Sequence, residues 1–120
     1  MRIGITIDEN KGMDSLVSMH FGQCQYFMII DMDGNQVKNV KVVANTVRHG
    51  GGGCVAVDEM LKNNITHVIA GGMGMGAQEK FSTAGVKIFG YLGTVREAVE
   101  GLLENKLNGL GACKEHGAQH

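Results

Sequence analysis

Three runs with strand character precede the first helical pattern in this 120-residue chain, and beyond that point strands and helices alternate. That order permits few sheets. Arg2 to Asp8 carries Ile3, Ile5 and Ile7 at alternate positions, β-branched residues that suit a buried pleated environment. Gln25 to Asp31 is a second run and Gln36 to Val43 a third, with Asp33-Gly34 between them as a type I′ turn signal. These predict an antiparallel hairpin with its last strand at a sheet edge. Cys54 to Asn64 then reads as a helix with Val57, Met60 and Leu61 on one face. Thr66 to Ala70 reads as a strand, Ala77 to Ala84 as a short helix closed by Gly85, and Val86 to Phe89 as a strand. Thr94 and Glu97 have the spacing of a capping box, opening a helix along which Val95, Ala98, Val99, Leu102, Leu103 and Leu107 recur at helical intervals. The order β-β-β-α-β-α-β-α defines an α/β fold, in which parallel crossovers extend a sheet begun by an antiparallel hairpin. Residues 1–107 form one domain, since a chain of this length has no room for two cores. Residues 108–120 read as a flexible, polar, glycine-spaced tail.

With 5% aromatic residues and no Trp, the core is built from Ile, Val, Leu and the eight Met. A net charge of −1 and the absence of any Lys/Arg run exclude phosphate backbones and membrane surfaces as natural partners. The N-terminus lacks a signal-peptide pattern and no stretch reaches ~18 apolar residues, which predicts a cytoplasmic protein. Three cysteines, an odd number set far apart, are expected as reduced thiols. The 19 glycines have no Gly-X-Y period, so they must serve particular backbone positions.

Several segments carry possible chemistry. Gly72 to Ala77 fits the G-x-G-x-x-A spacing of dinucleotide-binding turns, but the following strand, Val86 to Gly90, lacks the acidic residue that would hold a ribose. A tight strand-to-helix turn accounts for those glycines. Asp8 and Asp31 each end a strand and would be a carboxylate pair if adjacent, whereas as turn residues they would bond local amides. His20-Phe21-Gly22-Gln23-Cys24 sets an imidazole and a thiol four residues apart in a loop, both ligands for soft or borderline metals; alternatively Cys24 is a small buried hydrophobe. In His49-Gly50-Gly51-Gly52-Gly53-Cys54 the glycines run into a helix N-terminus, where amides favour an anion and the Cys54 thiol is more acidic. His49 and Cys54 are candidate ligands there, and an inert linker is the alternative. Cys113 and His116 would share a face with His120 if the tail were helical. A cysteine nucleophile with a nearby histidine would make an enzyme, without any local signature to mark it.

Five pieces in order carry a resemblance. They are Ile3-Gly4-Ile5, His20-Phe21-Gly22 followed by Tyr26-Phe27, Gly51-Gly52-Gly53, Ile69-Ala70-Gly71-Gly72-Met73-Gly74, and Gly93-Thr94-Val95 with Glu97-Ala98. Together they resemble the dinitrogenase iron-molybdenum cofactor biosynthesis family, the stand-alone proteins similar to NifX and to the C-terminal domain of NifB. The resemblance implies a ribonuclease-H-like fold, a mixed five-stranded sheet with helices on both faces. It also implies a small cytoplasmic carrier or chaperone of anaerobes, not an enzyme, that binds an iron-sulfur or molybdenum-iron-sulfur cluster between donor and acceptor proteins. His20, with Phe21 and Gly22, carries over from the family's His-Phe-Gly loop; Cys24, His49, Cys54, Cys113 and His116 are added as ligand candidates on chemistry alone. The expected pocket lies between the His20 loop and the Gly50 to Gly53 run, whose amides would bond the cluster's sulfides. A cysteine- or metal-dependent enzyme and a metal-free interaction module are the rival readings.

Overall fold

The computed structural model describes residues 1–46 and 53–109. Strands β1 (Arg2–Ile7), β2 (Tyr26–Asp33) and β3 (Gln36–Ala44) come first. They are followed by α1 (Gly53–Leu61), β4 (His67–Ala70), α2 (Met75–Thr83), β5 (Lys87–Gly90) and α3 (Val95–Leu103). The element order is the one the sequence predicts. The strands lie in the order β3-β2-β1-β4-β5, with β1, β4 and β5 parallel and β2 antiparallel to its neighbours, so the sheet is mixed and has the ribonuclease-H-like arrangement. A two-residue strand, β6 (Asn108–Gly109), pairs antiparallel with β5 at the far edge. The expected boundary after residue 107 therefore falls two residues early, and residues 110–120 lie outside the described residues.

The period-2 alternation of β1 explains the layers. Ile3, Ile5 and Ile7 pack with Met28, Ile30 and Ile69 beneath Val95, Ala98, Val99 and Leu102 of α3. The other face carries Phe27, Ile29, Val68 and Ala70 beneath Ala56, Val57 and Met60 of α1 and Ala77 and Phe81 of α2. Helices thus cover both faces, as the resemblance implies. Gly4 faces α1 because a Cβ there would stand 2.7 Å from the Met60 sulfur. The capping box is present: Glu97 N donates to Thr94 Oγ1 at 3.1 Å and Thr94 N to Glu97 Oε1 at 3.0 Å.

Two local expectations need correction. The hairpin turn is Gly34-Asn35, flanked by the Asp33–Gln36 pair, and among the two only Gly34 has a positive φ, +63°. That is the II′ pattern, not I′, because I′ needs both central residues there. Helix α1 also stops at Leu61, short of Asn64, whose φ of 57° no helix can continue through.

What matters for function is the edge at which β1 and β4 end. They are parallel neighbours, yet the chain leaves β1 toward β2 and leaves β4 toward β5, on opposite sides. This is a topological switch point, where the departing connections leave a crevice outside the carboxyl ends of the strands.

Candidate functional site

The long connection from β1 to β2 is tied to its surroundings. Ser18 N donates to Thr6 O, Val17 N to Gly93 O, and Gly71 N to Ser18 O, each at 2.8 Å. Past Ser18 the chain turns outward. The Ser18 hydroxyl accepts from His20 N at 3.2 Å and bonds His20 O at 3.3 Å, and His20 is exposed. Phe21 turns the other way. Its ring lies parallel to Phe27 with centroids 5.9 Å apart and meets Phe81 edge-on at 5.4 Å. The burial of Phe21 therefore fixes the point from which His20 projects.

Facing this loop across the switch point is the connection from β4 into α2. The two enclose a cleft of about 520 Å³ lined by Met19, His20, Phe21, Gly22 and Gln23 on one wall and Gly72, Met73, Gly74, Gly76 and Ala77 on the other. None of these residues is a carboxylate, a lysine or an arginine. Close approach explains the first glycines of the second wall: a Cβ on Gly71 would lie 2.8 Å from Ser18 O and 2.9 Å from Met19 Cα, and one on Gly72 2.8 Å from Met19 O. Gly74 is different, since a Cβ there would meet nothing within 4 Å. Met19 and His20 also border a second cleft of about 430 Å³, lined further by Asp8, Glu9, Lys11, Asp14, Leu16 and Val17.

The expected ligands separate on inspection. Cys24 is fully buried among Phe21, Phe27 and the helical side chains, and its Sγ donates to Phe21 O at 3.3 Å. It does not line the cleft. Burial, and then the negative charge of Asp8, push the thiol pKa up to about 12. Four residues of spacing in a loop do not fix side-chain direction, and here the structure supports the small-hydrophobe alternative over ligation. Cys54 is the second residue of α1, as expected for a thiol at a helix N-terminus, and Gly53 opens that helix. The candidates His49, Gly50, Gly51, Gly52, Cys113 and His116 lie outside the described residues. Among the described residues no three His, Cys, Asp or Glu side chains converge as a metal centre. Asp8 and Asp31 stand at opposite ends of the antiparallel β1–β2 pair. Asp31 accepts from Arg2 Nε at 2.6 Å, which lowers its carboxyl below the usual range.

Protonated Cys24 contributes stability below its ordinary value of 9.0, and the contribution is lost as pH climbs through about 12. In a chain whose Cys54 and Cys113 are replaced by serine, we expect Cys24 to resist iodoacetamide at pH 8 until denaturant unfolds the protein. Prompt native-state alkylation would contradict its burial.

His20, Phe21 and Gly22 are legible in the sequence as lining residues, whereas the second wall is not. The signal was the surplus of glycine in Gly71-Gly72-Met73-Gly74-Met75-Gly76, more than one strand-to-helix turn needs.

Fold and site define the class: a ribonuclease-H-like α/β domain with an uncharged, glycine-walled cleft at its switch point. The chain belongs to the dinitrogenase iron-molybdenum cofactor family, whose model matches residues 1–105. It is 29% identical to an uncharacterised protein of Methanocaldococcus jannaschii, MJ0580, over 110 residues, 89% of each chain. Among solved structures, a NifB-like protein from Thermotoga is 34% identical with a TM-score of 0.74, covering 91% of this chain and 92% of that one. The apo form of the orange protein of Desulfovibrio gigas is 27% identical with a TM-score of 0.77, covering 90% and 91%. No helix among the described residues is long and apolar enough to cross a membrane.

Proposed function

We propose that the cleft between the His20 loop and the Gly72–Ala77 turn holds an anionic metal-sulfur cluster, iron-sulfur or molybdenum-iron-sulfur. The protein carries it from a donor to an acceptor protein in the cytoplasm without turning it over. The carrying observation is the lining: backbone amides, one exposed imidazole and thioethers, with no carboxylate to repel an anion. Imidazole and thioether suit borderline and soft metals, and amides suit the sulfides around them. A single fixed imidazole also leaves release possible, which a carrier requires. Met19 on the cleft wall, Leu16 on the adjoining cleft and Leu92 against Gly71 are exposed, apolar side chains of the kind that meet partner proteins.

His20 is exposed and supports nothing in the core, so its loss should be visible only in binding. After anaerobic reconstitution with iron and sulfide, His20→Ala is expected to hold several-fold less cluster by visible absorbance, at an unchanged melting temperature. Equal occupancy in variant and wild type would sink the assignment of His20.

A further inference from the structure

Carbonyl oxygens on both walls of the cleft are tied down from inside the protein. Asn45, 3% exposed just past the end of β3, donates through Nδ2 to Gly22 O at 3.2 Å and Cys24 O at 2.9 Å. Gln78, 9% exposed in α2, donates through Nε2 to Met73 O at 2.9 Å. The Cys24 thiol holds Phe21 O. No peptide bond among the described residues is cis, and a trans peptide plane sets its N–H opposite its C=O. Drawing the carbonyls of Phe21, Gly22 and Met73 inward therefore turns the N–H groups of Gly22, Gln23 and Gly74 outward. All three residues line the cleft, and none of these N–H groups donates to a protein acceptor among the described residues.

Resting on the reading of the cleft as an anion-holding site, we propose that Asn45 and Gln78 are its positioning residues. Asn45 fixes the Gly22–Gln23 peptide plane and Gln78 the Met73–Gly74 plane, so that the N–H group of each, and not the carbonyl oxygen, faces the cargo's sulfides. Asn45 serves the His20 wall and Gln78 the Gly74 wall. Their effect exceeds that of an ordinary loop tether because an untethered plane can turn over. A turned plane replaces a donor with a partial negative charge, so the site loses an attraction and gains a repulsion.

The probe is tetrathiomolybdate, an anion that presents only sulfides, titrated into ¹⁵N-labelled full-length protein. In the wild type the amide resonances of Gly22, Gln23 and Gly74 should shift together on binding. Gln78→Met, which keeps length and loses the donor, should weaken binding roughly tenfold, the worth of one hydrogen bond to a charged group. It should abolish the Gly74 shift while keeping those of Gly22 and Gln23, and Asn45→Ala should abolish the Gln23 shift while keeping that of Gly74. General loosening would not divide the two walls in this way. Should Asn45→Ala fail to fold, the wild-type shifts and Gln78→Met decide. A wild type that binds with shifts only at other residues of the cleft, or variants that bind as it does, overturns the positioning role and leaves the cargo reading standing, whereas shifts confined outside the cleft overturn both. A wild type that does not bind the anion overturns both.

Discussion

Phe21→Ala is expected to destabilise the domain by about 3–5 kcal/mol, the usual cost of emptying a buried aromatic site. Phe21 is 3% exposed, and the two rings it touches belong to different layers of the site, Phe27 on β2 and Phe81 on α2. Aromatic pairs of these geometries add about 0.5–1.5 kcal/mol beyond burial, so the upper part of the range applies. The consequence for function is separate from the consequence for stability. Removing the ring frees the segment that carries His20 from β2 and α2, and cluster loading should fall even where most molecules remain folded. Denaturant unfolding gives the first quantity and cluster absorbance per folded molecule the second. Phe21→Leu, which refills most of the volume, should restore much of both. If Phe21→Ala were to unfold at the wild-type denaturant concentration, the loop would not be anchored as described.

The second large effect is expected from the smallest substitution available at the switch point. Gly71→Ala places a Cβ 2.6 Å from Leu92 Cδ2, 2.8 Å from Ser18 O and 2.9 Å from Met19 Cα. The leucine can rotate away, but the two backbone atoms can move only if the loop retreats. Retreat breaks the 2.8 Å bond from Gly71 N to Ser18 O and shifts Met19 and His20 with it. Overpacking of this kind costs about 1–3 kcal/mol. Gly74→Ala is the control, since a Cβ there meets nothing in the protein. Stability should drop for Gly71→Ala and hold for Gly74→Ala, as measured by thermal unfolding; equal behaviour would mean that the loops are not in contact.

The division between what the sequence reveals and what it hides follows from the range of the interactions. Ile3, Ile5 and Ile7 announce β1 because alternation is a property of neighbours along the chain, and Thr94 with Glu97 announces α3 because both halves of the cap lie within one turn. The His20 loop was legible through a resemblance carried by adjacent residues. The direction of Cys24 was not legible, because a loop of irregular backbone sets no period. The second wall of the cleft was hidden for a different reason. The requirement for glycine at 71 and 72 comes from Ser18 and Met19, some fifty residues earlier, and looks locally like an ordinary turn. Asn45 and Gln78 likewise reach carbonyls in other elements or turns, and no spacing rule connects them to each other. The strand β6 depends on its pairing with β5, and two residues are too few to show a pattern of their own.

Uptake of a metal-sulfur cluster by the cleft can be measured directly. Full-length protein, reduced and reconstituted anaerobically with iron, sulfide and thiomolybdate and then desalted, can be analysed for iron, molybdenum, acid-labile sulfide and visible absorbance. The expected result is a coloured protein with stoichiometric cluster that an acceptor or a chelator can remove. A colourless, metal-free protein that is folded after the same treatment would contradict it.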